Sequence, residues 1–341
     1  MPGENRDHLQ RRRKGERVRG RKLWAAVIAL VLLAALIAGV LARRGLRPEA
    51  ASLLQLLPPG ADLYGALDLE TLQSNPAVRK LLADQPGFSH DPQYDDFLRQ
   101  TSFRYQDDLK QMAFAKLGDE WAGVARVHLD RPRLLAFFSS VGAAQSAVQG
   151  HPVYSFGSGR PFRLALLEED VVAFSVGPDA TFLGSILERP AGPSGDSAAS
   201  ELERTGELQR PRTGSQLWLY GKLDRLLASD AQDLPVGPFR LGPDGLQGSR
   251  VVSASVQSSP LALDVLVEDR CDSAASAEQI ARWLKVALEI LRVSSQDAPA
   301  RSGPDYATIL EAVSIDQADE SVYLRWRANA AMLAKLAAER P

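Results

Sequence analysis

Residues 23–42, LWAAVIALVLLAALIAGVLA, run for twenty positions without a charge or a proline and with one glycine. At about 1.5 Å of rise per residue, a helix of this length covers roughly 30 Å, the thickness of a bilayer's hydrocarbon core. Lipid offers no partner to backbone N–H and C=O groups, so a spanning segment must satisfy them internally, as a helix does. Trp24 at the start of the run suits the membrane–water interface. A cleaved signal peptide is the competing reading, because Val40-Leu41-Ala42 offers small residues near a cut. Signal peptides, however, have apolar cores of roughly 7–15 residues, and Arg43-Arg44 would directly follow the cut. Length favours a retained anchor.

Charge gives the anchor a direction. Residues 1–22 hold 9 Lys/Arg against 3 Asp/Glu, and Arg43, Arg44 and Arg47 follow the span. The heavier basic flank stays in the cytoplasm, which places the N-terminus inside and everything from Leu46 onward outside. The basic tail can also rest on anionic headgroups. From position 48 onward there are 28 basic and 39 acidic residues, an acidic body without a basic stripe, which argues against nucleic acid as a partner. With 45% hydrophobic and 24% charged residues the composition is globular. The one cysteine, Cys271, excludes an internal disulfide, so the outer part depends on core burial. A lone cysteine is more often a small buried residue than a nucleophile.

Beyond the span, punctuation residues divide the chain. RPEAASLLQLLPPG reads as a short amphipathic stem stopped by Pro58-Pro59. In ADLYGALDLETL, alternation over 63–67 predicts a strand, with Asp68 capping a helix behind it. Asn75-Pro76 and His90-Asp91-Pro92 open two further helices. Strands are expected at 111–117 and 121–129, then a helix at 131–141. Three strands at 151–156, 163–169 and 171–176 form a meander, and Asp179 begins the next helix. RPAGPSGDSAAS (189–200) has the composition of a flexible connection. Strands follow at 216–223, 247–257 and 261–269. Ser276 and Gln279 form a capping box. Ile280, Trp283, Leu284, Ala287, Leu288 and Leu291 fall at helical spacing behind it. TILEAVSI, SVYLRWRA and a last helix from Asn329 close the chain.

The hexamer LYGALD (63–68) recurs as LYGKLD (219–224). Both copies end a strand and cap a helix, and in each half a strand pair followed by a helix comes later. Chance identity competes with duplication of one unit, and the shared context favours duplication. The expected class is α+β: a transmembrane helix, then antiparallel sheets packed with helices, as two divergent copies of one module. The divisions are a basic cytoplasmic tail (1–22), the transmembrane helix (23–42), a juxtamembrane stem (43–59), a first α+β module (60–188), a Pro/Gly/Ser-rich connection (189–214) and a second α+β module (215–341).

Candidate chemistry is sparse. Asp68 and Asp224 are a carboxylate pair if the two half-sites face each other, and helix caps if they do not. SHDPQYDD (89–96) gathers His90, Asp91, Asp95 and Asp96, but lacks the glycine turn and distal Glu of a calcium loop. His128 and His151 stand alone. HExxH, CxxC and G-x-S-x-G are absent from the sequence, and Gly157-Ser158-Gly159-Arg160 is a turn rather than a phosphate loop. Trp218 and Tyr220 share the strand face opposite Leu217 and Leu219, and Tyr323 opposes Trp326. These aromatics either cover a sheet face or form a platform for a sugar or lipid. No catalytic, cofactor-binding or metal-ligating residue is assigned.

LLPPGADLYGALDLETLQSNPAV resembles the opening of uncharacterised bacterial single-pass envelope proteins, in which a Leu-Pro-x-x-Ala-Asp strand runs into an Asp-x-x-x-Leu helix. FLRQTSFRYQDDLKQMAFA continues the likeness, which covers roughly Leu56 to Leu129. It implies topology and no activity. The expectation is therefore an inner-membrane protein with one span and an extracytoplasmic domain. Its partners are the bilayer through 23–42 and an envelope protein or ligand, with no nucleic acid and no cofactor. An envelope hydrolase with a dispersed active site, or a carrier of an apolar ligand, is the alternative.

Overall fold

The two hexamers meet. LYGALD is strand β1 (Leu63–Asp68), and the second hexamer supplies the last four residues of β8 (Leu217–Lys222). The two strands pair antiparallel with Tyr64 opposite Tyr220. A local two-fold axis perpendicular to the sheet passes through this tyrosine pair, so Leu63 faces Gly221 and Gly65 faces Leu219. The computed structural model describes residues 50–83, 92–157, 160–178, 180–189, 196–208, 215–229, 234–236, 239–241, 246–259, 262–296 and 306–338. The tail, the apolar run 23–42, the first part of the stem and the proposed caps His90, Asp91 and Asp179 lie outside those residues.

The chain enters through α1 (Ala50–Leu53) and a 3-10 turn (Leu54–Leu56). After β1 come α2 (Leu69–Leu72), α3 (Pro76–Ala83), α4 (Pro92–Thr101) and α5 (Tyr105–Asp108). A hairpin of β2 (Leu109–Leu117) and β3 (Glu120–Val127) leads to α6 (Arg131–Ser140). A meander of β4 (Ala144–Val148), β5 (His151–Phe156), β6 (Phe162–Leu166) and β7 (Val171–Val176) returns to β3. Helices α7 (Thr181–Leu187) and α8 (Ala198–Arg204) then lead to β8.

The second half repeats the plan. Helix α9 (Leu223–Ser229) and a small ladder of β9 (Leu234–Val236) with β10 (Phe239–Leu241) precede the hairpin of β11 (Ser249–Ser259) and β12 (Ala262–Cys271). The long α10 (Ala274–Gln296) and α11 (Tyr306–Glu311) follow, then β13 (Val313–Ala318), β14 (Ser321–Asn329) and α12 (Ala330–Ala338). The class is α+β. One twelve-stranded sheet, ordered β13-β14-β12-β11-β8-β1-β2-β3-β7-β6-β5-β4, replaces the separate sheets expected for two modules. The reason is backbone pairing: β1 and β8 are the inner strands of their halves, and each satisfies the other's free edge. Counted outward from the centre, β1-β2-β3-β7-β6 matches β8-β11-β12-β14-β13. The hairpin of β4 and β5 is an addition to the first half.

Two expectations shift. AQSAV (144–148) is a fourth strand in the meander; it is almost wholly exposed and so carries no apolar alternation. Helix α10 starts earlier than Ser276: the Ser273 hydroxyl accepts the Ser276 N–H at 3.2 Å, while Ser276 Oγ donates to Asp272 at 2.7 Å. At the last helix, Asn329 Oδ1 accepts the Met332 N–H at 2.9 Å, as its position predicts.

One sheet face, here the stem face, is lined by small residues such as Ala66, Ala113, Ala115, Ala122, Ala165 and Ala173. Leu54 and Leu57 of the stem, Phe182, Leu183 and Ile186 of α7 and Leu202 of α8 pack onto it. Large side chains on helices over small ones on strands let the two layers approach closely. In the second half the stem face carries paired charges instead: Arg325 with Asp316 at 2.8 Å and Arg327 with Asp264 at 3.6 Å. The opposite face takes Leu134, Phe137 and Phe138 of α6 in the first half. In the second half it takes Ala277, Ile280 and Ala281 of α10. Between them, Leu67 and Leu217 pack with Leu72, Val78 and Leu333.

The repeated glycine now has a reason. A Cβ on Gly65 would lie 2.3 Å from Phe114 Cζ and 2.8 Å from Leu219 Cδ2; one on Gly221 would lie 2.7 Å from Leu226 Cδ1. Each hexamer leaves room for a neighbour's side chain to cross its strand. Gly65→Ala is therefore expected to lower stability by about 1–3 kcal/mol through overpacking, read as a fall in the urea midpoint. An unchanged midpoint would contradict the crossing of Phe114 over Gly65.

Candidate functional site

The carboxylate pair fails on geometry. Asp68 closes β1 and is buried, and its two oxygens accept the Thr71 N–H and the Thr71 hydroxyl, each at 2.9 Å. Asp224 lies exposed in the first turn of α9. The Asp68 N–H donates to Gln216 O, whereas the Lys222 N–H donates to Asp62 O. Antiparallel pairing thus sends the two aspartates to opposite ends of the central strands, roughly 20 Å apart at about 3.3 Å per residue. The two-fold relation that makes them equivalent also separates them.

Other candidates disperse similarly. Of the 89–96 cluster, Asp96 forms a surface ion pair with Arg99, while His90, Asp91 and the Asp95 side chain lie outside the described residues. Among the described residues no three His, Cys, Asp or Glu side chains could share a metal ion. Cys271 is buried, and burial first, then the charges of Asp269, Asp272 and Glu320, push its thiol up to about 12. A thiol held protonated is a poor nucleophile. Trp218 and Tyr220 are only 5% and 6% exposed, which rules out a surface platform at that point. Tyr323 and Trp326 do lie on opposite faces: Arg325 sits 5.4 Å from the Tyr323 ring, while Trp326 Nε1 donates to Ile309 O at 3.1 Å.

One well-connected polar cluster among the described residues was not singled out by the sequence. On the stem face Tyr64 stacks with Tyr220 at 6.5 Å, and Tyr220 with Trp218 at 6.2 Å. The Tyr64 hydroxyl accepts the Ala61 N–H at 3.0 Å and donates to Glu201 Oε2 at 2.8 Å. That same oxygen accepts the Gly60 N–H at 2.6 Å, and Lys222 Nζ donates to Glu201 Oε1 at 3.0 Å. Burial raises the Tyr64 hydroxyl far above its usual range, and Glu201 adds to the rise. For Glu201, burial pushes upward, but the Gly60 N–H, the Tyr64 hydroxyl and Lys222 outweigh it, so its carboxyl titrates below the usual range. A neutral phenol and a fully paired carboxylate are not poised for proton transfer. They form a lock between the stem, the central strands and α8.

Two clefts lie among the described residues. One, of about 200 Å³, lies between the end of α4 and the start of α6 and is lined by Ser102, Asp108, His128, Asp130 and Arg133. Ser102 has φ of 58°, uncommon outside glycine, and its hydroxyl receives Arg133 at 2.6 Å. The carboxylates are already engaged: Asp130 caps the Arg133 N–H at 3.1 Å, and Asp108 accepts the Arg104 N–H at 2.6 Å. The second, of about 400 Å³, lies on the stem side at the tip of the β2–β3 hairpin. Pro58, Pro59, Leu117, Pro178 and Phe182 give it apolar walls, and Asp119 and Glu120 give it an acidic end.

No protein-family model matches the chain, and no curated protein matches it. Among solved structures it is similar to TP0453. Crystal form III aligns with a TM-score of 0.45 at 12% identity, over 83% of this chain and 96% of that one. Crystal form I aligns with a TM-score of 0.42 at 12% identity, over 84% and 97%.

The lock predicts a pH response. A depressed carboxyl stabilises the fold above the ordinary Glu range, near pH 4.3, and that contribution is lost as pH falls through the depressed value. Glu201→Gln should cost about 1–3 kcal/mol at neutral pH, because Lys222 loses its charged partner, and should flatten the acid limb of stability. Equal acid limbs in the two proteins would contradict the lock. Asp68→Ala should cost about 0.5–2 kcal/mol as a lost cap, while Asp224→Ala stays within about 0.5 kcal/mol of wild type. Equal losses in thermal melts would revive a shared role.

Proposed function

We propose that the chain is a membrane-tethered, extracytoplasmic binding protein of the bacterial envelope, without catalytic activity of its own. The observation that carries this reading is the uninterrupted apolar run of residues 23–42 with its heavier basic flank on the N-terminal side. Among the described residues no helix is long and apolar enough to cross a membrane, so the tether rests on that run alone. The likeness of residues 56–129 to single-pass envelope proteins supports it.

A short tether brings the body close to lipid. Residues 43–49 can reach at most about 25 Å when fully extended, and α1 begins at Ala50. The groove beside Pro58 and Pro59 then lies on the side from which the chain emerges. Its apolar walls and acidic end suit a partner segment with an apolar residue next to a positive charge. The matching strand orders and the Tyr64–Tyr220 register support descent of the two halves from one duplicated module. A hydrolytic reading has one observation in its favour, the Ser102, His128 and Arg133 cleft. Neither Asp108 nor Asp130 hydrogen-bonds the His128 ring, whose residue bonds only through its backbone N–H to Asp108 O, so the orienting contact of a triad is not formed.

Alkaline extraction and C-terminal reporters test the tether. The full-length product should remain in the membrane fraction, and a reporter active only outside the cytoplasm should be active. A shortened, soluble product, or a reporter active only in the cytoplasm, would overturn the assignment.

A further inference from the structure

An open sheet has two end strands, and each presents a row of unpaired backbone N–H and C=O groups. The two ends of this sheet are built differently. At one end, β13 carries Asp316 in its ion pair with Arg325, and Ile315 is packed against the residues of α10. Arg292 of α10 donates at 2.9 Å to the Val313 carbonyl where β13 begins. Charge and a covering helix are the usual defences against a foreign strand.

Among the described residues the other end carries no charge on its strand, and helix α7 reaches only the last residue of that strand, Val148. Strand β4 reads AQSAV, without charge or proline, and four of its five residues are exposed. It pairs with β5 in unbroken register from Ala144 opposite Ser155 to Val148 opposite His151. The turn between them places Gln149 and Gly150 at φ of 50° and 79°, the conformation that suits a tight hairpin. Among the described residues this edge is therefore regular and, from Ala144 to Ala147, exposed and uncharged. It belongs to the hairpin that the first half has in addition to the shared plan.

We propose that the β4 edge pairs antiparallel with the β4 edge of a second copy, joining two twelve-stranded sheets into one. Three features select this occupant. AQSAV placed opposite itself brings no like charges together, so the strand is self-complementary. The two-fold axis relating two antiparallel edges is perpendicular to the sheet, so both copies keep the stem face on the same side. The stem packs on that face in each copy, so both N-terminal segments lie on one side, as two chains in one bilayer require. This last point rests on the tethered reading. Finally, β1 and β8 already join the two halves by the same operation. Confinement to a membrane raises the effective concentration of copies for each other.

Full-length protein carrying Ser146→Cys, the middle residue of β4, tests this by oxidation with copper phenanthroline in membranes. Ser146 lies opposite itself when the strands pair in register; Ala144→Cys and Ala147→Cys report a shifted register. Wild type is the control, because its buried Cys271 thiol is held protonated. A disulfide-linked dimer from at least one cysteine variant, absent from wild type, is the expected result. Light scattering of purified full-length protein in detergent should show a dimer for wild type and a monomer for Ser146→Lys, with an unchanged thermal melt. No crosslink at any of the three positions, or a Ser146→Lys dimer as stable as wild type, overturns the proposal. So does a monomer whose β4 amides resist exchange, since another part of the same chain then covers the edge. A dimer from a product that alkaline extraction releases would leave the pairing standing and remove the tether; a monomer in an intact membrane would do the reverse.

Discussion

The antiparallel pairing of β1 with β8 is the interaction on which the rest of the architecture depends. Each half begins with its innermost strand, and alone it would leave a full row of backbone groups without partners at the centre of a wide sheet. Pairing removes both free edges at once. Tyr64 opposite Tyr220 sets the register, and a slip of one residue would turn every side chain of one strand to the wrong face. Alanines would then face the aromatic side and leucines the stem side. The apolar patterns on both faces hold the register in place.

The stem uses that centre as its attachment point. Gly60 and Ala61, just after the prolines, donate backbone N–H groups to Glu201 and Tyr64, and the Ala198 N–H at the start of α8 donates to Leu57 O at 2.9 Å. The segment leading from the proposed anchor is thereby tied to the middle of the sheet rather than to its rim. A carboxylate with two hydrogen-bond donors and an ammonium group in partial burial is strongly held, because removing any partner would leave a charge poorly solvated. A body fixed in this way keeps one face toward the emerging chain. That face carries the Pro58–Phe182 groove.

Much of this was legible in the sequence where local chemistry decides structure. Alternation located β2, β3, β5, β7 and β8 closely, and helical spacing located α10 apart from its first turn. The hexamer repeat was visible as letters, and its glycines turn out to leave space for Phe114 and Leu226. What stayed hidden depends on partners distant in the chain. Strand β4 buries only part of Val148, so it has no apolar period. Helix α8 starts with a capping box of Ser197 and Ser200 inside a stretch whose Pro, Gly and Ser content reads as a connection. Glu201 looked like one acidic residue among many until folding set it against Tyr64 and Lys222. The cap expected at Asp68 is there, but Asp224 lies inside the first turn of α9 instead of capping it, because matching letters do not fix where a distant strand ends.

Native-state hydrogen exchange across β1 and β8 bears most directly on the central pairing. If these strands join the halves, the amides of 64–67 and 217–221 that bond across the pair should exchange only with global unfolding, in step with the core of β2 and β11. Exchange of those amides at the rate of an exposed edge, while β2 and β11 stay protected, would mean that the two halves are separate sheets.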